Sequence, residues 1–206
     1  YIGLRLQVNG NDIRRNYSLS AAPNGKGLRI SVKREAHGVA SVHLHDAVRE
    51  GDVLQVFPPA GDFTLSEGSG PVAFVSGGVG ITPTLAMAEV ALKAGRAVTF
   101  IHHARNAQVH AFGEQLAQWR SQFPQLKTHL VYDVDPGQSG PRPDAVGLSN
   151  QAQLAQWLPE GGLQEMDVYV LGPKPFMASV KRSLRALGLP DARSHHEFFG
   201  PAEALA

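Results

Sequence analysis

Val72-Ala-Phe-Val-Ser-Gly-Gly-Val-Gly-Ile-Thr-Pro83 decides the fold. A short apolar run, the length of a buried strand, breaks into a glycine turn. Thr82 then offers an N-cap and Pro83 a first-turn residue for a helix. A strand, a glycine turn and a helix start together form a place for a phosphate-bearing ligand. Unpaired backbone N–H groups and the helix dipole favour an anion there, and glycines let it come close. Gly77-Gly78-Val79-Gly80 resembles the dinucleotide fingerprint G-x-G-x-x-G, with Pro83 in place of the third glycine. No acidic residue lies between Glu89 and Glu114, where a ribose-binding carboxylate would end the second strand. On this motif alone, a tight strand–helix turn without a ligand is the competing reading.

From Pro71 onward strands and helices alternate. Val98–Ile101, Thr128–Tyr132 and Val168–Leu171 are strand-like. Phe112, Leu116, Trp119 and Phe123 have the period of one helix, and Phe176, Val180, Leu184 and Leu187 that of another. This rhythm predicts an α/β parallel-sheet domain with helices on both faces. The Gly-, Pro- and Asp-rich segment from Asp133 to Pro143 reads as an exposed loop.

Before that boundary the pattern is different. Tyr1–Val8 is strand-like, Asn9-Gly10-Asn11-Asp12 is a turn cluster, and Pro23–Gly27 is another ahead of Leu28–Val32. Leu28, Ile30 and Val32 alternate with polar residues, which predicts a half-buried strand. Ser41 can cap a short helix to about Val48, and Val53–Phe57 is a further strand stopped by Pro58-Pro59. Short antiparallel strands with one helix predict a small β-barrel over 1–66, followed by the α/β domain over 71–206. The chain begins inside a strand without methionine, so the barrel is expected to be incomplete at its N-terminus.

The chain has 206 residues, 43% hydrophobic and 18% charged, with a net charge of +1. That balance gives no global field for nucleic acid or an acidic membrane. With no cysteine, thiolate-held iron–sulfur clusters, disulfides and cysteine nucleophiles are excluded. No apolar run approaches the roughly 20 residues of a membrane helix, and a cytoplasmic location is expected. The nine histidines include the pairs His102-His103 and His195-His196. Neighbours on a strand face opposite ways, so hydrogen-bonded or solvated histidines are expected rather than a metal site.

Three other groups carry candidate chemistry. Arg15-Asn16-Tyr17-Ser18 combines a bidentate clamp for a diphosphate, a flat ring for a heterocycle and a hydroxyl for its edge. From Arg14 to Arg34 there are six basic residues and no acid, surroundings that suit an anionic cofactor. Gly38-Val39-Ala40-Ser41 reads either as a plain N-cap or as a second phosphate-ready helix start. Glu197-Phe198-Phe199-Gly200-Pro201 reads either as core filler after the last strand or as an aromatic cover for a cofactor ring.

Taken in order, Arg15–Ser18, Gly38-x-x-Ser41, Gly77–Pro83, Leu171-Gly-Pro173 and Glu197–Pro201 resemble the ferredoxin–NADP reductase superfamily. Tyr17–Gly25, Ile30–Glu35, Pro59–Phe63, Val109–Phe112 and Glu197–Leu205 are similar to the reductase portion of bacterial flavohemoglobins, the nitric oxide dioxygenases. The resemblance implies an FAD-binding barrel and an NAD(P)-binding domain. It implies that Arg15, with Asn16 beside it, and Ser41 hold the FAD diphosphate, and that Tyr1, Tyr17 and Ser18 lie at the isoalloxazine. Gly77, Gly78, Val79, Gly80, Ile81 and Thr82 would receive the nicotinamide nucleotide. Phe198, Phe199, Gly200 and Pro201 would close over the flavin, Phe199 covering the ring and Glu197 sitting near the electron exit.

The activity implied is hydride transfer from NAD(P)H to FAD, then electrons to a haem b held by a globin domain, expected in the same polypeptide but absent here. Two positions depart from the family pattern: Leu171 and Phe198 stand where cysteine is common. Arg105 is a candidate for a 2′-phosphate, while the family leans towards NADH. The alternatives are a reductase feeding an iron–sulfur protein or hydroxylase, and a non-catalytic nucleotide-binding module.

Overall fold

The computed structural model describes residues 1–134, 142–159 and 162–199. Its N-terminal part is a three-stranded antiparallel sheet. Strand β1 (Ile2–Val8) pairs with β2 (Asn11–Tyr17), then helix α1 (Val39–Asp46) follows, and β3 (Gln55–Val56) lies on the other side of β1. The β1–β2 turn is Asn9-Gly10, with φ of +52° and +79°. Two left-handed residues in succession give the hairpin turn whose twist matches the strands it joins. β1 sends Ile2, Leu4, Leu6 and Val8 to one face, where they pack with Ala40 of α1. Arg5, on the opposite face, donates to Asp12 across the hairpin at 2.7 Å.

The expected strand at Leu28–Val32 is not formed. One antiparallel bridge, Leu19 to Ile30, takes its place, and Leu28 is exposed. The cause lies in the intervening turn. The Asn24 side chain accepts from the N–H groups of Lys26 and Gly27, closing the loop on itself. Beside the single backbone bond from the Ser20 N–H to the Arg29 carbonyl at 2.8 Å, side chains make the contact: Arg29 Nε donates to Ser20 Oγ, and Ser20 Oγ lies 2.8 Å from Ser31 Oγ. The strand at Val53–Phe57 shrinks to β3, because Val53 faces solvent and the two prolines after Phe57 lack N–H donors.

The second part runs β4 (Val72–Gly77), α2 (Ile81–Lys93), β5 (Val98–Ala104), α3 (Gly113–Gln122), β6 (Leu126–Tyr132), β7 (Ala145–Val146), α4 (Gln151–Trp157), β8 (Asp167–Leu171), α5 (Lys174–Ala186) and β9 (Ser194–His196). All the strand pairs are parallel, in the order β7-β6-β5-β4-β8-β9. Every residue of β4 is buried, as expected of a central strand covered on both faces. Phe74 and Phe100 pack on one face beneath Leu85 and Leu92 of α2 and Trp119 of α3. Val75, Val168 and Val170 pack on the other face beneath Leu154 of α4 and Val180 and Leu184 of α5. Burying a side chain such as Leu184 contributes about 2 kcal/mol.

Strand order reverses at β4. β5, β6 and β7 lie to one side, β8 and β9 to the other. In an open α/β sheet the ligand crevice lies outside the carboxyl ends of the strands at such a point, here Gly77 and Leu171.

The opposite end of the sheet anchors the connection between the two parts. Asp167, at the start of β8, accepts from Ser66 Oγ at 2.8 Å and contacts His195 Nε2 at 2.9 Å and Arg193 at 3.4 Å. Arg96, with 3% of its side chain exposed, lies 4.0 Å from Asp167 and donates to the carbonyls of Gly70 (2.7 Å) and Ser66 (3.0 Å). Burial works to raise the Asp167 pKa, but hydrogen bonds from His195 and Ser66 outweigh it and hold the carboxyl below its ordinary range. A carboxylate depressed in the folded state contributes stability above its unfolded pKa of about 4 and loses it as pH falls further. Asp167→Ala strands the Arg96 charge and is expected to cost about 3 kcal/mol in urea unfolding at neutral pH. Asp167→Ala should also flatten the acid limb; an unchanged midpoint would remove Asp167 from this role.

Candidate functional site

The turn at the switch point is built by close packing. Gly78–Gly80 forms one tight helical turn, and α2 begins directly after it. A Cβ on Gly80 would run into the Leu171 carbonyl, with the Leu171 carbon at 2.6 Å and the Gly172 nitrogen at 3.0 Å. A Cβ on Gly172 would sit 2.6 Å from the Phe176 ring. The turn after β4 and the loop after β8 therefore lie in contact, and only glycines permit it. Gly78 differs: its φ is +55° and its Cβ position faces open space.

Thr82 does not cap α2. Gly80 holds the N-cap position, no side chain occupies the first amides, and the Thr82 hydroxyl donates to the Val79 carbonyl at 3.0 Å. Ser41 does not cap α1 either. Gly38 is the N-cap, and Ser41 Oγ donates to Gly38 O and accepts from Glu35 N. In both places the hydroxyl sits within the first turn and serves the preceding loop. The start of α1 is left to offer backbone N–H groups, the anion-binding element of such sites; at α2 the Ile81 N–H already bonds back to Gly78 and Val79, so the glycine turn before it is the place for an anion.

Two cavities meet at α2. The larger, about 640 Å³, is lined by Gly77, Gly78, Val79, Ile81 and Thr82, by the ends of β5 and β6, by Pro173 and Phe176, and by Ser31–Arg34 of the N-terminal part. That volume lies in the range of small-molecule and cofactor sites. The smaller, about 390 Å³, is lined by Tyr1, Ser18, Pro59–Gly61, Phe63 and Glu197, and by Pro83 and Met87 of α2. Ile81 and Thr82 thus face one cavity and Pro83 the other, so the first turn of α2 is a wall common to both. At the smaller cavity the Tyr1 ring packs against Gly61, where a Cβ would stand 2.9 Å from it and φ is +104°. The Ala22 N–H donates to Glu89 Oε2 at 3.0 Å, and Arg29 reaches Gln115 at 3.4 Å, joining the N-terminal part to α2 and α3.

Of the residues singled out in the sequence, Tyr1, Ser18 and Glu197 share the smaller cavity, and Gly77, Gly78, Val79, Ile81 and Thr82 share the larger. Gly80 is buried beneath the turn. Arg15, Asn16 and Tyr17 lie along β2 and line neither cavity. Arg15 is exposed with its guanidinium on the Arg14 carbonyl, and Tyr17 packs partly against the N-terminal core. Burial raises the Tyr17 hydroxyl pKa, offset in part by Arg15. Phe198 packs against the core of the parallel sheet, edge-on to His196, while Phe199 is exposed. Gly200 and Pro201 lie outside the described residues, as does most of the Asp133–Pro143 loop. Burial pushes the Glu197 carboxyl up, against the pull of the Tyr1 ammonium and with help from Asp62. Leu171 is fully buried, and its carbonyl lies against the glycine turn.

His102 and His103 face opposite ways from β5, both buried. His102 Nδ1 pairs with Ser76 Oγ at 2.9 Å and His103 Nε2 with Ser149 Oγ at 3.0 Å. Burial, aided by His110 and then His103, drives His102 down to about 3, and burial takes His103 to about 4. Both stay neutral at neutral pH. The unfolded chain takes up protons at about pH 6.5 and the folded chain does not, so stability is full above that value and falls as pH drops below it. Urea titrations are expected to show this loss between about pH 6.5 and 4, and His102→Asn to reduce its slope; a flat profile there would contradict it. Among the described residues no group of His, Asp and Glu is placed to hold a metal ion.

Sequence reasoning missed Asp133, the carboxylate that lines the larger cavity. The sequence points to the end of β5 for such a residue, whereas Asp133 directly follows β6. The signal was available in the apolar Leu130-Val131-Tyr132 that precedes it. α4 was missed as well, though Asn150 and Gln153 form a capping box at its start.

Comparison with known proteins follows the same division. Residues 1–65 match the oxidoreductase FAD-binding domain and residues 74–182 the oxidoreductase NAD-binding domain. The chain is 54% identical over 205 residues to a flavohemoprotein of Pseudomonas putida and 51% identical to one of Pseudomonas aeruginosa. All of this chain and 51% of each relative are covered, so it spans about half the length of these curated relatives. The crystal structure of the flavohem-like FAD/NAD-binding domain of nitric oxide dioxygenase from Vibrio cholerae superposes with a TM-score of 0.86 at 35% identity. That match covers 98% of this chain and 84% of the other.

Proposed function

The chain belongs to the oxidoreductase family of paired FAD- and NAD-binding domains found in flavohemoproteins, and on that footing we propose that it is the electron-supplying module of a flavohemoprotein. Residues 1–66 form the flavin half and 71–206 the nicotinamide half. When bound there, FAD would supply hydride acceptance from NAD(P)H and release of electrons one at a time, and the protein's part is to hold and orient it. The observation that carries the reading is the shared wall: one turn of α2 faces both cavities, an arrangement that would let a flavin and a nicotinamide meet across it.

The chain's own residues bind, orient and exclude water. Arg15 and the N–H groups at the start of α1 take the flavin diphosphate, and Tyr17, Ser18 and Tyr1 on Gly61 set its ring. The N–H groups of the Gly77–Gly80 turn take the nicotinamide diphosphate, with Gly78 allowing it close to the backbone. Phe176 and Pro173 form the apolar floor beneath the nicotinamide, and orientation on this floor supplies the rate advantage. Glu197 holds the exit side of the flavin cavity, with Phe199 closing over the ring. The acceptor proposed is a globin haem in the same polypeptide, supporting nitric oxide dioxygenation in the cytoplasm; the relatives' double length supports this.

Linked to the globin of a flavohemoprotein, the FAD-loaded chain is expected to sustain NADH-dependent consumption of nitric oxide in air. Without the globin it should not. A globin haem left ferric under excess NADH would overturn this acceptor.

A further inference from the structure

We propose that Glu89 is a positioning residue for the hydride step: it ties the loop between Leu19 and Ile30 to α2 and so sets the spacing between the walls of the two cavities. The inference rests on reading those cavities as the flavin and nicotinamide sites.

Glu89 is the one acidic residue of α2. It stands between the first turn of the helix, which walls both cavities, and Arg96, which holds the Ser66 and Gly70 carbonyls beyond the helix end. The Glu89 side chain is 21% exposed. Its Oε2 accepts from the Ala22 N–H at 3.0 Å, and its Oε1 accepts from Lys93 at 2.6 Å, one helical turn on. Ala22 is buried, and a buried backbone N–H needs an acceptor, which Glu89 supplies. An ionised acceptor makes this a stronger bond than a neutral one would.

The loop so held is closed on itself. Its ends are joined by the Leu19–Ile30 bridge and by the Ser20 N–H on the Arg29 carbonyl, and the Asn24 side chain closes its tip. Leu19 and Pro23 line the smaller cavity together with Ala86 and Val90, which flank Glu89 along α2. Ser31, just past the bridge, lines the larger cavity. A closed loop that reaches both cavities shifts a wall of each when it moves. A second, longer hold is Arg29, which reaches Gln115 at 3.4 Å and lies over the Phe112 ring at 5.8 Å. Without Glu89 the loop can lift from α2, and hydride transfer is sensitive to displacements below about 1 Å.

Glu89→Ala removes the acceptor, whereas Glu89→Gln keeps a neutral one. Amide hydrogen exchange of the chain without added nucleotide reads the tie itself. The segment 20–30 is expected to exchange about tenfold faster in Glu89→Ala and within about threefold of native in Glu89→Gln. Stopped-flow reduction of the FAD-loaded chain by NADH, without oxygen, reads the consequence. Its limiting rate is expected to fall about tenfold in Glu89→Ala and to recover in Glu89→Gln, with half-saturation by NADH and FAD affinity within about twofold of native. Loss of flavin by Glu89→Ala would overturn the proposal, since the role assigned is spacing and not retention. Unchanged exchange in Glu89→Ala, or no recovery in Glu89→Gln, would overturn it too. A limiting rate in Glu89→Ala within about twofold of native takes Glu89 out of the hydride step while the reading of the cavities stands. If NADH does not reduce the native FAD-loaded chain, that reading falls and this role with it.

Discussion

Gly80→Val is expected to lower kcat/KM for NADH by at least about a hundredfold while the protein keeps its flavin. The position leaves no room: the added carbons must displace the Leu171 carbonyl and the Gly172 nitrogen behind it. Overpacking of this kind costs about 1–3 kcal/mol in stability, which a domain of this size survives. The greater cost is geometric. Pushing the loop after β8 away from the turn after β4 moves Pro173 and Phe176, the floor of the larger cavity, and a misplacement of about 1 Å is enough for a hundredfold loss. Gly25→Ala is the matched control. It forces a side chain onto a φ of +70° with nothing within 4 Å, so it carries backbone strain of about 1 kcal/mol without touching either cavity. Full activity in Gly80→Val would show that contact between the two loops does not shape the site.

The second large effect is on flavin retention. Arg15→Glu is expected to weaken FAD binding by about a hundredfold, as reversal of a charge-assisted contact to a diphosphate does. Arg15 is exposed and held only by a bond to the Arg14 carbonyl at 2.7 Å, so the substitution leaves the β1–β2 hairpin intact. No acid lies between Arg14 and Arg34 to compete for it in this stretch. Equilibrium dialysis against FAD measures the change directly. FAD held as tightly by Arg15→Glu as by the native chain would remove Arg15 from the flavin site.

The parallel sheet was legible because its signals are local and strong. Val72–Gly77 is buried along its whole length, and a run of apolar residues bounded by glycine can hardly be anything but a central strand. The period of Phe176, Val180 and Leu184 placed α5 for the same reason. Leu28–Val32 misled because alternation alone does not make a strand; a partner must pair with it, and the Asn24 turn leaves room for one bridge. Ser41 and Thr82 misled by one turn. Residue type favours a cap at both, but Gly38 and Gly80 take the cap positions, where close packing leaves little space for a side chain. Asp133 was hidden by topology, since only strand order shows that the end of β6 opens on the same cavity as the end of β5.

The meeting of two cofactors across the first turn of α2 is tested most directly by mixing the FAD-loaded chain, without oxygen and without a globin, with one equivalent of NADH. The geometry predicts that the yellow flavin band bleaches in proportion to the NADH added, with oxidised nicotinamide formed in equal amount. Flavin that stays yellow beside unreacted NADH would show that the two cavities do not bring their ligands together.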